Sequence, residues 1–307
     1  MSWMLDKEIT RELPEEWKGV VPTEAFLQEA EKLVTQANDK GVPLRVLGGL
    51  GVAFHCQEFR DLAKKLGRIG TGVIEGQEYS DIDFMSYRKH RDQVKELFGN
   101  MGYAKRRATL SSAASERQIY YHPKGWFYVD VFFDKLLVAN HPINFAGRLE
   151  IDYPTVAVAD ILLEKLQMWE AFSVKDLKDC LLLLKTHTVE EKVQKESIDA
   201  GYIAKLLSED WGFGYTATAN LKRIKKFISE IEKMGAEVGI DPKNLKNEEL
   251  GEVTGKVEKL LGRIENEPKS FKWKMRAKVG TKQRWYNPVE RPDTVGGFGI
   301  WEAMLKE

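Results

Sequence analysis

The chain has 307 residues, of which 43% are hydrophobic and 31% charged, enough to bury a sizeable core and long enough for two domains. Its 47 lysines and arginines offset its 47 aspartates and glutamates, so no global field draws it to nucleic acid or an anionic membrane, and a charge-driven partner has to meet a local patch. Cys56 and Cys180 are too few for a disulfide framework, and neither an apolar run of about 18 residues nor a sustained apolar segment near Met1 occurs; the sequence predicts a cytoplasmic chain, neither exported nor membrane-spanning.

In chain order, Phe26, Ala30, Leu33, Val34 and Ala37 recur at helical spacing after Thr23, the expected N-cap, and Gly41 follows the helix. Leu44 to Leu47 reads as a strand that empties into Gly48-Gly49 and then a helix through Val52, Ala53 and Phe54. Residues 57–78 carry no readable pattern and are expected to form an insertion. Asp81-Ile82-Asp83-Phe84-Met85 alternates as a strand does, and Val94, Leu97, Phe98 and Met101 mark the next helix, closed by Gly102. Two more strands, over 118–121 and 126–133, flank the turn His122-Pro123-Lys124-Gly125. Residues 1–150 therefore read as α/β. Residues 151–266 read as mainly helical, with apolar faces at Ile161, Leu162, Leu166 and Trp169, at Val174, Leu177, Leu181 and Leu184, at Leu221 to Ile231, and at Leu250 to Ile264.

Asp81 and Asp83 stand two apart on their strand, so both carboxylates leave one face while Ile82 turns into the core. Paired carboxylates repel, and hard oxygen ligands of this kind suit magnesium or manganese; two solvated aspartates at a strand end are the other reading. Asp130 interrupts the apolar run Tyr128-Val129-Asp130-Val131-Phe132-Phe133, where burial without a partner would be costly or force protonation. It needs an exposed strand end, a salt bridge to a nearby arginine, or a metal. Gly48-Gly49 either marks a tight turn or lets the backbone approach a triphosphate. Neither the dinucleotide glycine pattern nor a P-loop is present.

Taken together, Leu47-Gly48-Gly49, Ser80-Asp81-Ile82-Asp83-Phe84 and Val129-Asp130-Val131 resemble the nucleotidyltransferase superfamily that includes DNA polymerase beta and the lincosamide and aminoglycoside nucleotidyltransferases. Val158-Ala159-Asp160-Ile161-Leu162-Leu163-Glu164-Lys165-Leu166, followed by Lys175-Asp176-Leu177-Lys178-Asp179, looks like the helical motif of the AbiEii-type toxin nucleotidyltransferases. Residues 47–56 and Ser208-Glu209-Asp210-Trp211-Gly212 are similar to poorly characterised bacterial and archaeal relatives. The resemblance covers residues 40–230. It implies an α/β (α+β) nucleotidyltransferase domain with a mixed sheet over 1–150, followed by a helical domain, and a metal-dependent transfer of a nucleoside monophosphate from a triphosphate to a hydroxyl on RNA, protein or a small molecule. In that reading Asp81 and Asp83 ligate two magnesium or manganese ions, and Asp130 joins one of them and helps deprotonate the acceptor. Gly48, Gly49 and Ser80 border the nucleotide, and Lys165 pairs with its β and γ phosphates. The insertion near 57–78 departs from the family, in which the glycine pair and the Asp-x-Asp lie little more than a helix apart. A toxin or defence role follows only by analogy.

Some of these residues have local explanations. Ser173 and Asp176 fit a capping box, and Lys175 with Asp179 fits an i,i+4 pair. The five histidines, His55, His90, His122, His141 and His187, show no metal-ligand spacing. The last segment, 267–307, holds Lys272, Lys274, Arg276 and Lys278 interleaved with Phe271, Trp273, Trp285 and Tyr286. That is either a surface for RNA such as tRNA, a solvated run, or a tail docked on the helical domain. A catalytically inactive protein of the same fold, binding nucleic acid through this segment, is the alternative function.

Overall fold

Apolar side chains at helical spacing bury Phe26, Ala30, Leu33, Val34 and Ala37 on one face of α1 (Thr23–Asp39). They do so in the computed structural model, which describes residues 12–68, 76–106, 117–137, 139–170, 172–192, 194–244 and 247–288. The four buried residues of β1 (Leu44–Leu47) run straight into α2 (Gly48–His55). A short helix α3 (Arg60–Lys65) lies in the region read as an insertion. Then come β2 (Asp81–Ser86), α4 (Arg91–Asn100), β3 (Ala104–Lys105), β4 (Arg117–Tyr121) and β5 (Tyr128–Phe133).

These strands form a five-stranded mixed sheet of order β1-β2-β5-β4-β3. β2 and β5 are parallel, and the other pairs antiparallel. The parallel pairing needs a crossover, supplied by α4 and the β3–β4 excursion. Strand alternation sorts the two faces. Ile82, Phe84, Val129, Val131 and Phe133 join a core with α1 and α4 that includes Phe26, Phe98 and Tyr120. Phe98 stacks on Tyr120 at a 4.3 Å ring separation, and each such fully buried side chain contributes about 1.5–3 kcal/mol. Met85 and Phe132, on the other face, join the core of the second half.

That half opens with the pair β6 (Lys135–Leu136) and β7 (Ile143–Asn144), then α5 (Val158–Leu166), α6 (Val174–Thr186), β8 (Thr188–Glu190) and β9 (Ser197–Asp199). It continues with α7 (Ala200–Glu209), α8 (Trp211–Ser229), α9 (Ile231–Met234), α10 (Asn247–Asn266) and α11 (Phe271–Val279). The chain is thus mixed α/β, the sheet lying between α1 with α4 and the helices of the second half. One apolar cluster contains Leu47, Val52, Met85 and Phe132 together with side chains of α5, α6, α7, α8 and α10, so the boundary read at 150 does not separate two cores. β1, at the edge of the sheet, is covered on its outer side. The Val46 amide donates to the Pro154 carbonyl, and the Val156 amide to Val46, both at 3.0 Å.

Several expectations are corrected. Thr23 is the first residue of α1 rather than its cap, and its hydroxyl donates to Glu78 at 2.6 Å. Trp169 lies past the end of α5. The small parallel pair β8–β9 interrupts the stretch read as mainly helical, in which no apolar face had been assigned to α7. The capping box of α6 is present with both of its hydrogen bonds.

Candidate active site

The parallel register sets Asp83 opposite Asp130, and the β1–β2 register sets Leu47 opposite Asp83. The end of β1 and the beginnings of β2 and β5 therefore meet at one end of the sheet, on the face turned toward α5. Asp81 is exposed there, whereas Asp83 and Asp130 are half-buried. Ser80 donates to Asp81 at 3.0 Å. Gly48 sits at φ +71°, where a β-carbon would stand 2.7 Å from the Asp83 Oδ2. Only glycine allows the chain to leave β1 in this conformation and pass against the carboxylate.

Burial raises the Asp83 carboxyl well above its ordinary range, and the charges of Asp81, Asp130 and Glu164 raise it further. Burial also lifts Asp130, to about 6, with Asp81 adding and Arg117 and Arg106 opposing. The arginine alternative for Asp130 is met only in part. Arg117 Nη1 stands 3.4 Å from Oδ2, while Oδ1 is buried with no hydrogen-bond partner among the described residues. A buried carboxylate oxygen without a donor, beside two other carboxylates, is a site short of positive charge. Hard divalent ions such as magnesium or manganese fit that donor set.

Asp130→Asn tests this shortage in the metal-free protein. The folded chain holds the carboxyl at about 6 against an ordinary 3.8, so between those values the fold binds the proton that the unfolded chain releases. Stability contributed by this group falls as pH rises across that window, by about 3 kcal/mol once complete. Thermal melts in chelator from pH 4 to 8 should show that decline in the parent and its loss in Asp130→Asn. Parallel curves for the two proteins would show that Asp130 is already neutralised by Arg117.

A second layer of charge sits behind the triad. The Gly48 amide donates to Glu164 Oε2 at 3.0 Å, so this helix N-terminal N–H is committed to a carboxylate of α5. Glu164 is itself held up by burial, with Lys165 pulling it down. Lys165 does not face outward. Its ammonium lies 3.2 Å from Asp179 and 3.7 Å from Asp176, in a buried position. Asp179, fully buried, also takes the Arg68 guanidinium, so it is bound to Arg68 and Lys165 instead of forming the expected pair with Lys175. Lys175 has no ion pair among the described residues. Its Cε lies 3.7 Å from where a β-carbon on Gly49 would stand, and burial together with the cations Arg68 and Lys165 lowers its pKa.

Compared with known proteins, the chain matches no family model, no curated protein and no solved structure. Glu164 and Arg68 are the members that sequence reasoning did not single out, although Glu164-Lys165 inside an otherwise apolar helix was an available signal; Lys175 was weighed there against a plain i,i+4 pair with Asp179.

The basic segment lies apart from this cluster in its contacts. Lys272, Lys274 and Lys278 are exposed on α11. Arg276 is turned back, donating to the carbonyls of Gly280, Gln283 and Arg284 and lying 4.8 Å over Trp211. Trp285 donates to Thr216 at 3.1 Å and packs among Trp169, Trp211 and Tyr215. Of the four aromatics expected to interleave with charge, only Phe271 stands far out, at 79% exposure. The segment is docked on the helical half up to residue 288, and the rest of it lies outside the described residues. No helix among the described residues is long and apolar enough to cross a membrane.

Proposed function

We propose that this chain is a metal-dependent nucleotidyltransferase that moves a nucleoside monophosphate from a triphosphate to a hydroxyl acceptor. The observation that carries the reading is the in-register pair Asp83 and Asp130, with Asp81 on the same face and an unpartnered oxygen on Asp130. A catalytically silent nucleic-acid-binding protein would have no use for three carboxylates held together at a cost in stability. Magnesium or manganese held by Asp81, Asp83 and Asp130 would supply Lewis acidity for an in-line displacement at the α-phosphorus. Asp130 would be the carboxylate placed to take up the proton of the attacking hydroxyl. The acceptor oxygen then bonds to the α-phosphorus as the bond to pyrophosphate breaks.

Gly48 and Gly49 bring the start of α2 against Asp83 and Arg68, and a triphosphate held at the carboxylates would lie beside this turn. The cation for its outer phosphates is Lys175, since Lys165 is consumed by Asp176 and Asp179. Lys175→Gln should weaken nucleotide binding about tenfold, the loss of one charge-assisted contact. It should leave stability unchanged or slightly higher, because a cation crowded by Arg68 and Lys165 is gone. Fluorescent-nucleotide titration and thermal melts on the same samples check both halves; unchanged affinity would remove Lys175 from the site.

The reading itself is tested by incubating the purified chain with α-labelled triphosphates, magnesium or manganese, and separated RNA, protein and small-molecule fractions of a cell extract. Chelator-sensitive label in one fraction is the expected result. No transfer to any fraction, with no metal-dependent nucleotide binding, would overturn it.

A further inference from the structure

His55 closes α2, His187 follows α6, and Glu196 precedes β9; His55 and Glu196 are 141 positions apart in the chain. The fold nevertheless aims both imidazoles at one carboxylate oxygen. His55 Nδ1 lies 2.8 Å and His187 Nε2 3.2 Å from Glu196 Oε2. The far nitrogen of each ring is tied to a backbone carbonyl, His55 Nε2 to Val156 at 2.9 Å and His187 Nδ1 to Leu183 at 3.1 Å. Each far nitrogen also meets a hydroxyl, Thr155 Oγ1 at 2.8 Å from His55 Nε2 and Thr186 Oγ1 at 2.8 Å from His187 Nδ1, the Thr186 hydroxyl also lying 2.8 Å from the Leu182 carbonyl, to which it donates. In the neutral tautomers that donate to both ring-facing carbonyls, the near nitrogens are lone pairs pointing at a carboxylate.

In those tautomers three acceptors converge with no hydrogen between them, an arrangement that a cation among them relieves. We propose that His55, His187 and Glu196 form a site for a divalent transition metal of the zinc class, independent of the aspartate triad. Two imidazole nitrogens and one carboxylate oxygen are the donor set such ions take. Ligands about 2.0–2.1 Å from a tetrahedral ion stand roughly 3.3 Å from one another, and here the three ligand atoms all lie within 4.8 Å of one another. Carbonyls holding the distal N–H groups fix the ring orientation, as around metal-bound histidines generally. The two imidazoles are only 1% and 3% exposed, while the Glu196 side chain is 44% exposed, so an ion would enter from the glutamate side. A surface cavity of about 380 Å³, lined by His55, Glu196, Thr155, Tyr153 and Gln57 among others, opens there. It does not include the three aspartates. Glu196 holds a left-handed backbone at φ +53°, a conformation that a non-glycine residue keeps only under constraint.

The competing arrangement is a proton in place of the metal. Burial opposes charge on His55, but the Glu196 hydrogen bond and charge, with Asp152 adding, leave its pKa raised. The hydrogen bonds from His187 and His55 hold Glu196 well below the carboxylate range. The proton-bridged cluster thus stabilises the fold above the ordinary glutamate value of 4.5, where the carboxylate is charged, and loses that contribution as pH rises through the raised value of His55. A metal binds in the opposite direction, more tightly as pH rises and the imidazoles lose their protons.

The test is cobalt(II) titration of the full chain at pH 8 in excess magnesium, which occupies hard carboxylate sites and competes poorly for imidazole. One equivalent should bind, giving visible absorption of a low-coordinate nitrogen-ligated ion that zinc displaces, together with a rise in melting temperature. Glu196→Gln, at an exposed position that should not disturb folding, and His187→Gln should each lower the affinity at least about tenfold. Asp81→Asn should leave it unchanged. Absence of cobalt binding, or equal binding in Glu196→Gln and His187→Gln, overturns the proposal. So does a chain that takes no metal yet loses stability between pH 6 and 8 only when Glu196 is intact, which would identify the proton-bridged cluster.

Discussion

Replacing Asp81 and Asp83 together by asparagine should lower nucleotidyl transfer at least about a thousandfold, because the charge developing at the α-phosphate loses its counter-ions. The fold should survive. Asp83 is held up by burial and by the charges of Asp81, Asp130 and Glu164, so the metal-free variant should gain about 1–2 kcal/mol from relief of that crowding. Label transfer measured beside calorimetric melting, with and without chelator, separates the two effects. In the parent, divalent metal should raise the melting temperature; in the variant it should not. A double variant that melts far below the parent in chelator would show that the aspartates are structural and would remove the basis of the enzymatic reading.

The largest stability loss is expected at Asp179. Its carboxylate is fully buried between Arg68 and Lys165. Burial alone would raise its pKa, but those two cations overcome it and leave the group lowered. Asp179→Ala takes the shared carboxylate from two buried cations, leaving Lys165 with Asp176 at 3.7 Å, and removing one partner of a buried ion pair costs about 3–5 kcal/mol. The urea midpoint should fall with the slope unchanged. Activity should fall too, because Arg68 lies beside Gly49, its Nη2 3.0 Å from where a β-carbon there would stand. Because Asp179 is lowered, its contribution is present above the ordinary value of 3.8 and is lost as pH falls toward its folded value. A loss below about 1 kcal/mol would mean that water reaches the cations once the carboxylate is gone.

How much of this was legible in the sequence follows from the range of each interaction. β1, α2, β2 and the β4–β5 hairpin are written in local periodicity and turn chemistry, and the structure has them where the pattern puts them. The same-face placement of Asp81 and Asp83 is a property of any strand, and so was readable. The pairing of Asp83 with Asp130 was open to expectation only through the resemblance, because register between distant strands is decided by the whole core. Arg68 with Asp179, Gly48 with Glu164, and His55 with Glu196 join residues more than a hundred positions apart. No local spacing encodes them. Lys165 was misread as phosphate-facing for the same reason: a lysine on a helix can be given a face by periodicity, but not the carboxylates that the next helix brings to it.

The two hydrogen bonds between Val46 and residues 154 and 156 bear on how the protein can be dissected. A fragment ended near residue 150, where the character of the sequence changes, would keep all five strands and lose the backbone that seals β1. An uncovered edge of Leu44, Val46 and Leu47 is a template on which another copy can add a strand. Such a fragment would also bare Met85 and Phe132 on the sheet's second face. Expressed alone, the first half should be recovered as aggregates or strand-exchanged oligomers, whereas a fragment extended past α6 keeps its edge capped.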